Sequence, residues 1–88
     1  MNKKEILKSA VNQRLQDELM YHINIDNYRL AIEKIDREHN TNSNFDLAIQ
    51  EYKNHIQELL NSSLIELRKT EIMREVIQDQ LKELENVD

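Results

Sequence analysis

The chain contains no glycine and no proline among its 88 residues. Glycine supplies the positive φ angles of tight turns and of many helix C-caps, and proline presets the first corner of common turns. A chain that lacks both has few positions at which it can reverse direction. Long uninterrupted helices are favoured, because strands joined by hairpin turns depend on glycine at the turn. We therefore predict an all-α fold.

One segment is typical of a turn. Residues 40–44 are Asn-Thr-Asn-Ser-Asn, and short polar side chains of this kind hydrogen-bond their own backbone and disfavour helix. Ser43 precedes Asp46 by three residues at the start of an apolar periodic run, a spacing close to that of a capping box. The predicted single domain over 1–88 consists of helix one at about 2–39, a loop at 40–44 and helix two at about 45–86.

Apolar residues recur at steps of three and four along both predicted helices, and the two series mirror each other about the loop. This pattern indicates an antiparallel helical hairpin whose helices meet along a coiled-coil seam. Folded about the loop, His39 lies against Phe45, and Ile25 lies against Leu59. The predicted seam consists of Leu7, Val11, Tyr21, Ile25, Tyr28, Ile32, Ile35, Phe45, Ile49, Tyr52, Ile56, Leu59, Met73 and Ile77.

The predicted seam is polar at mid-length, where Glu18 falls opposite Glu66. The apolar residues there are spaced by four residues repeatedly. This interrupts the alternation of three and four, so the apolar stripe turns around each helix. The segment Asn61-Ser62-Ser63 lies at the same level, and Ser63 with Glu66 has the spacing of a second capping box. We predict a continuous or slightly bent helix two. The alternative is a break near residues 61–63, which would give three helices.

Other apolar residues lie outside the seam, and two helices offer no third surface to cover them. Exposed apolar area of this extent on a small protein marks a protein interface. We expect either a homodimer that completes a four-helix bundle or a groove filled by a partner's helix. The candidate partner-facing residues are Ile23, Leu30, Leu47, Ile65, Ile72 and Val76.

The sequence lacks the residues of common catalytic and cofactor sites. Without cysteine or glycine it has no thiolate zinc site, no phosphate-cradling loop and no nucleophile elbow. His22 and His55 lie at helical spacing from carboxylates, but the Glu-x-x-His motif of di-iron bundles is absent, so these are predicted to be surface pairs. We predict no enzyme activity, no catalytic residue, no cofactor and no metal.

The net charge of −5 is carried entirely by residues 40–88. An acidic chain disfavours nucleic-acid and anionic-membrane partners, which bind basic surfaces. The sequence has neither the apolar run of a signal peptide nor one of about 20 residues that could span a membrane, so we expect a cytoplasmic protein. An alternative function, an acidic inhibitor of a nucleic-acid-binding host protein, would use the acidic face of helix two to occupy a basic cleft. That face comprises Glu58, Glu66, Glu71, Glu75, Asp79 and Glu83.

Two segments are distinctive, NIDNYRLAIEKI at residues 24–35 and LNSSLIE at residues 60–66. They resemble stretches in short helical proteins of tailed bacteriophages. The resemblance implies a phage accessory protein that acts inside the host cell. Combined with the exposed apolar residues, it leads to the hypothesis of a non-enzymatic interaction protein, a self-associating helical hairpin that binds a partner protein.

Overall fold

The computed structural model describes residues 2–87, and within that range it contains two α-helices and no strand. Helix α1 spans Lys3–Glu38 and helix α2 spans Asn44–Val87. They run antiparallel as an extended hairpin of 68 × 17 × 15 Å, which confirms the predicted all-α hairpin. Neither helix has a stretch within the described residues that is long and apolar enough to cross a bilayer.

The helix ends are capped by side chains and by the backbone. The Asn2 side chain accepts a hydrogen bond of 2.8 Å from the Glu5 N–H at the start of α1. At its other end the His39 N–H donates to the Ile35 carbonyl at 2.8 Å. These contacts satisfy polar backbone groups that a helix terminus leaves without an intrahelical partner.

Helix α2 continues without interruption through Asn61-Ser62-Ser63, so the break considered there does not occur. Ser62 faces solvent and Ser63 is half-buried. Neither glycine nor proline is present to interrupt the backbone hydrogen bonds, and the flanking leucines favour helix. The spacing of Ser63 and Glu66 is therefore a capping pattern inside a continuous helix.

The contact stripe of α1 follows the predicted steps of three and four. Val11, Ile25 and Ile35 are buried there, as is Glu18. The other predicted members of this stripe, Leu7, Tyr21, Tyr28 and Ile32, are half-buried.

The contact stripe of α2 lies one residue beyond much of the predicted one, so four residues predicted for the seam lie outside it. The predicted contact of His39 with Phe45 is present, with ring centroids 5.6 Å apart. Phe45, Tyr52, Leu59 and Met73 are exposed by 66%, 58%, 37% and 48%. Of the remaining α2 predictions, Ile56 and Ile77 are buried and Ile49 is half-buried.

The residue that follows each exposed one takes its place against α1. These four residues are Asp46, Lys53, Leu60 and Arg74, and each is buried or half-buried. The shift has a physical reason, because it leaves Glu66 exposed and so removes the like-charged layer of Glu18 and Glu66. It also brings Leu67 into the seam, where it is buried.

Candidate protein interface

Many large apolar side chains of the hairpin are exposed. Among residues 2–87, fifteen large apolar side chains are more than a third exposed, whereas six apolar side chains are buried. The six predicted partner-facing residues all lie on this surface, with exposed fractions between 43% and 61%. The seam is a single row of contacts between two helices, which leaves the remaining helix faces uncovered.

One side of the hairpin carries a regular row of these side chains. Phe45, Tyr52, Leu59 and Met73 are separated by multiples of seven residues, which is two turns of a helix, so they lie in line along α2. We call the side of the hairpin that carries this row the Tyr52 face. Sequence reasoning missed it because the same residues were assigned to the seam.

The Tyr52 face has two clefts at different levels. The apolar cleft, of 240 Å³, lies near the loop and is lined by Ala31, Lys34, Ile35, Glu38, His39, Ile49 and Tyr52. The polar cleft, of 390 Å³, lies nearer the chain ends and is lined by Gln13, Arg14, Asp17, Lys69, Thr70 and Met73. Each cleft therefore has one member of the exposed row in its wall.

The opposite side of the hairpin has a single larger cleft among those described. Its cleft, of 610 Å³, is lined by Arg29, Ile32, Glu33, Gln57, Leu60 and Asn61. Leu64 lies on this side with an exposed fraction of 38%. Leu64 follows Leu59 by five positions, so the two side chains point about 140° apart around α2.

A charged pair holds the two helices together at mid-length. The Arg74 guanidinium donates two hydrogen bonds to the Glu18 carboxylate, Nε to Oε2 at 2.5 Å and Nη2 to Oε1 at 2.9 Å. Its Nη1 donates to Gln78 Oε1 at 2.9 Å. The Glu18 carboxylate raises the pKa of Arg74 by hydrogen bonding to the cation. A bidentate pair of this kind fixes geometry as well as charge.

This pair was not predicted, although the sequence contains a signal for it. The predicted register placed Glu18 opposite Glu66, two like charges in a seam. In the structure Glu66 is exposed, and Arg74, eight residues further along α2, pairs with Glu18. The signal is the Glu18 carboxylate within an apolar stripe, which requires a partner when it is buried, but apolar periodicity does not identify Arg74 as that partner.

The loop is organised around the Asp46 carboxylate. It accepts hydrogen bonds from the hydroxyls of Ser43, at 2.5 Å, and of Thr41. A third hydrogen bond joins it to His39 Nδ1 at 2.9 Å. These bonds, that of Ser43 first, lower the pKa of Asp46 to about 2. The Asp46 N–H also donates to Ser43 Oγ at 3.1 Å, which is the predicted capping contact.

The histidines lie beside different neighbours. His55 Nδ1 lies 3.9 Å from Glu58 Oε2 on the exposed surface of α2, and His22 is exposed on α1. Asp36 lies three residues before His39, but its carboxylate pairs with the Lys53 ammonium of α2 at 2.6 Å. In the part of the chain that the structure describes, no three histidine or carboxylate side chains converge as metal ligands would.

The acidic face of α2 is partly neutralised by cations of the same helix. Arg68 Nη1 lies 3.5 Å from Glu71 Oε1 and 3.4 Å from Glu75 Oε1. Lys69 Nζ lies 3.1 Å from Glu66 Oε1. Half of the six acidic residues of this face therefore have a basic side chain beside them, which reduces the field available to a basic partner.

Comparison with protein-family models, curated proteins and solved structures gives no match to this chain. No relative therefore contributes an activity, a partner or a site residue.

Proposed function

We propose that the protein is a non-enzymatic interaction module that self-associates and binds a partner protein. The observation that carries the proposal is the excess of exposed over buried large apolar side chains in residues 2–87. Leaving such side chains in water forgoes about 25 cal/mol per Å² of apolar area. A second protein surface would recover that free energy.

The total surface area supports the same proposal. The chain exposes 6573 Å², whereas a compact monomer of its mass exposes about 5,500 Å². The difference, about 1,100 Å², exceeds the roughly 800 Å² that each partner buries in a protein interface of standard size. A hairpin of this shape therefore has enough spare surface for one full interface without losing any contact of its own seam.

The acidic-inhibitor alternative has weaker support. It depends on an unscreened array of carboxylates, and the cations Arg68 and Lys69 lie within that array. We propose instead that partner binding uses the exposed apolar side chains. In keeping with the resemblance of residues 24–35 and 60–66, we place such a module among phage accessory proteins that act inside a host cell.

Self-association is tested by size-exclusion chromatography with light scattering at micromolar concentration, with helicity measured on the same sample by circular dichroism. We expect a particle of twice the 10.6 kDa chain mass. A fully helical particle of single-chain mass would contradict the self-association half of the proposal.

Partner binding is tested by pull-down from host lysate at low salt and at about 0.5 M salt, where charge–charge attraction is screened within a few Å. Binding through apolar side chains is expected to persist at the higher salt. A partner that is captured at low salt and released at high salt would favour the acidic inhibitor.

A further inference from the structure

We propose that the partner seated on the Tyr52 face is a second copy of this chain, packed antiparallel against α2 with its loop at the opposite end. The inference rests on the proposed self-association and adds to it a face, an orientation and a register.

The spacing of residues along this side of α2 is symmetric under reversal. Starting at Phe45, Ala48 and Tyr52, alternating steps of three and four lead to Met73 and Val76, and the same steps recur when the row is followed backwards. Steps of three and four describe one contact stripe on a helix. A stripe that is unchanged on reversal can pair with itself about a two-fold axis, because each position meets a position of the same stripe.

In this pairing the two ends of the stripe are apolar. Phe45 of one copy lies at the level of Val76 of the second copy, and Ala48 lies at the level of Met73. The side chains of Phe45, Met73 and Val76 are exposed by 66%, 48% and 43% in the single hairpin. Since the axis repeats every contact, the dimer would have two such apolar ends.

Polar side chains at the centre of the stripe can pair in this arrangement. The same register places His55 beside Glu66 of the second copy, and Tyr52 beside Lys69. In the single hairpin His55 and Glu66 have only exposed neighbours on their own helix, Glu58 at 3.9 Å and Lys69 at 3.1 Å. A parallel pairing would instead set Glu66 against Glu66 and Lys69 against Lys69. Like charges opposed across an interface select against that arrangement.

The two clefts match the same arrangement. Tyr52 of one copy lies at the level of the second copy's polar cleft, where Lys69 and Thr70 offer partners for the phenol hydroxyl. Met73 lies at the level of the apolar cleft lined by Ile35 and Ile49. Tyrosine suits a site with a polar end, and methionine is flexible enough to fill an irregular apolar one. The two-fold axis repeats each contact, so the polar and the apolar cleft of both copies are filled.

Matched leucines provide the first test. Leu59 and Leu64 are exposed by 37% and 38% and lie on opposite sides of α2. We expect Leu59→Glu to raise the dimer dissociation constant by more than about tenfold, since it places a charge at the centre of the stripe. Leu64→Glu should leave it near the wild-type value. Sedimentation equilibrium measures both, and circular dichroism verifies that each variant is helical.

Spin-label distances provide the second test, which depends on no destabilising change. The chain has no cysteine, so Asn61→Cys and Lys82→Cys each accept a single label on an exposed site. At 1.5 Å per residue, an antiparallel dimer centred between residues 60 and 61 separates the labels at position 61 by about 20 Å and those at position 82 by about 65 Å. A dimer with both loops at one end gives about 20 Å at both positions.

The outcomes separate the two proposals. The antiparallel stripe is supported if Leu59→Glu abolishes the dimer and Leu64→Glu retains it. It also requires a short label distance at position 61 and a long one at position 82. A dimer that survives Leu59→Glu, or that gives two short distances, overturns this face or orientation and leaves self-association standing. A monomeric wild-type chain overturns both.

Discussion

At the scale of single residues, Asp46 is the side chain on which the reversal of the chain depends. Its carboxylate joins Thr41 and Ser43 of the loop to His39 at the end of α1, while its N–H is capped by the Ser43 hydroxyl. No glycine or proline assists this turn. Hydrogen bonds from short polar side chains therefore substitute for the conformational preferences that those residues would supply.

The pKa of Asp46 leads to a pH prediction. The folded value of about 2 lies below the ordinary 3.8, so the unfolded chain binds the proton more tightly than the folded chain. The stabilisation by this carboxylate is therefore complete above about pH 4 and is lost as the pH falls from 3.8 towards 2. Urea unfolding of wild type and Asp46→Asn between pH 7 and pH 2 should show the difference in unfolding free energy shrinking in that window.

Asp46→Asn serves as the control. The remaining carboxylates are the same in both proteins, so their titration cancels in the difference in unfolding free energy. A difference between wild type and Asp46→Asn that stays constant down to pH 2 would mean that the loop hydrogen bonds do not favour the ionised form.

At the scale of the elements, much of the fold could be predicted from sequence because it is local. The absence of helix breakers predicts two long helices, and Asn40–Asn44 with the Ser43–Asp46 spacing predicts the turn and its cap. The α2 register could not be obtained from apolar periodicity alone, because stripes beginning at Phe45 and at Asp46 share Ile49 and Ile56. Contacts between α1 and α2 decide between the two stripes, and they leave the row of Phe45, Tyr52, Leu59 and Met73 exposed.

The pair of Glu18 and Arg74 should behave as a coupled unit. We expect Glu18→Leu to lower the melting temperature, because it leaves the Arg74 guanidinium without its carboxylate in a largely enclosed position. The double variant Glu18→Leu/Arg74→Leu should be more stable than Glu18→Leu, since two apolar side chains then meet in the seam. Thermal unfolding followed by circular dichroism makes the comparison. A double variant less stable than the single one would contradict the proposed coupling.

At the scale of the whole molecule, the hairpin is a rod with little interior. Its radius of gyration is 19.6 Å, against about 12 Å for a compact domain of 88 residues. None of the side chains in the described range 2–87 is less than 2% exposed. A single row of contacts cannot enclose a residue from all sides, so further burial requires another chain.

If two copies associate, their stability depends on concentration. We expect the melting temperature to rise by about 5–10 °C between 1 and 100 µM protein, because association draws the folded form towards the dimer by mass action. Leu59→Glu should lose this dependence and Leu64→Glu should retain it. A wild-type melting temperature that is independent of concentration would indicate that folding is complete within one chain.

The unbroken helices also have a mechanical consequence. A hairpin with no proline or glycine has no built-in hinge. Its loop lies at one end of a 68 Å rod, and the start of α1 and the end of α2 lie at the other. In the antiparallel dimer the two pairs of outer helix ends would be about 80 Å apart, at 1.5 Å per helical residue. Such a dimer would hold any partners bound at its two extremities at a fixed distance from each other.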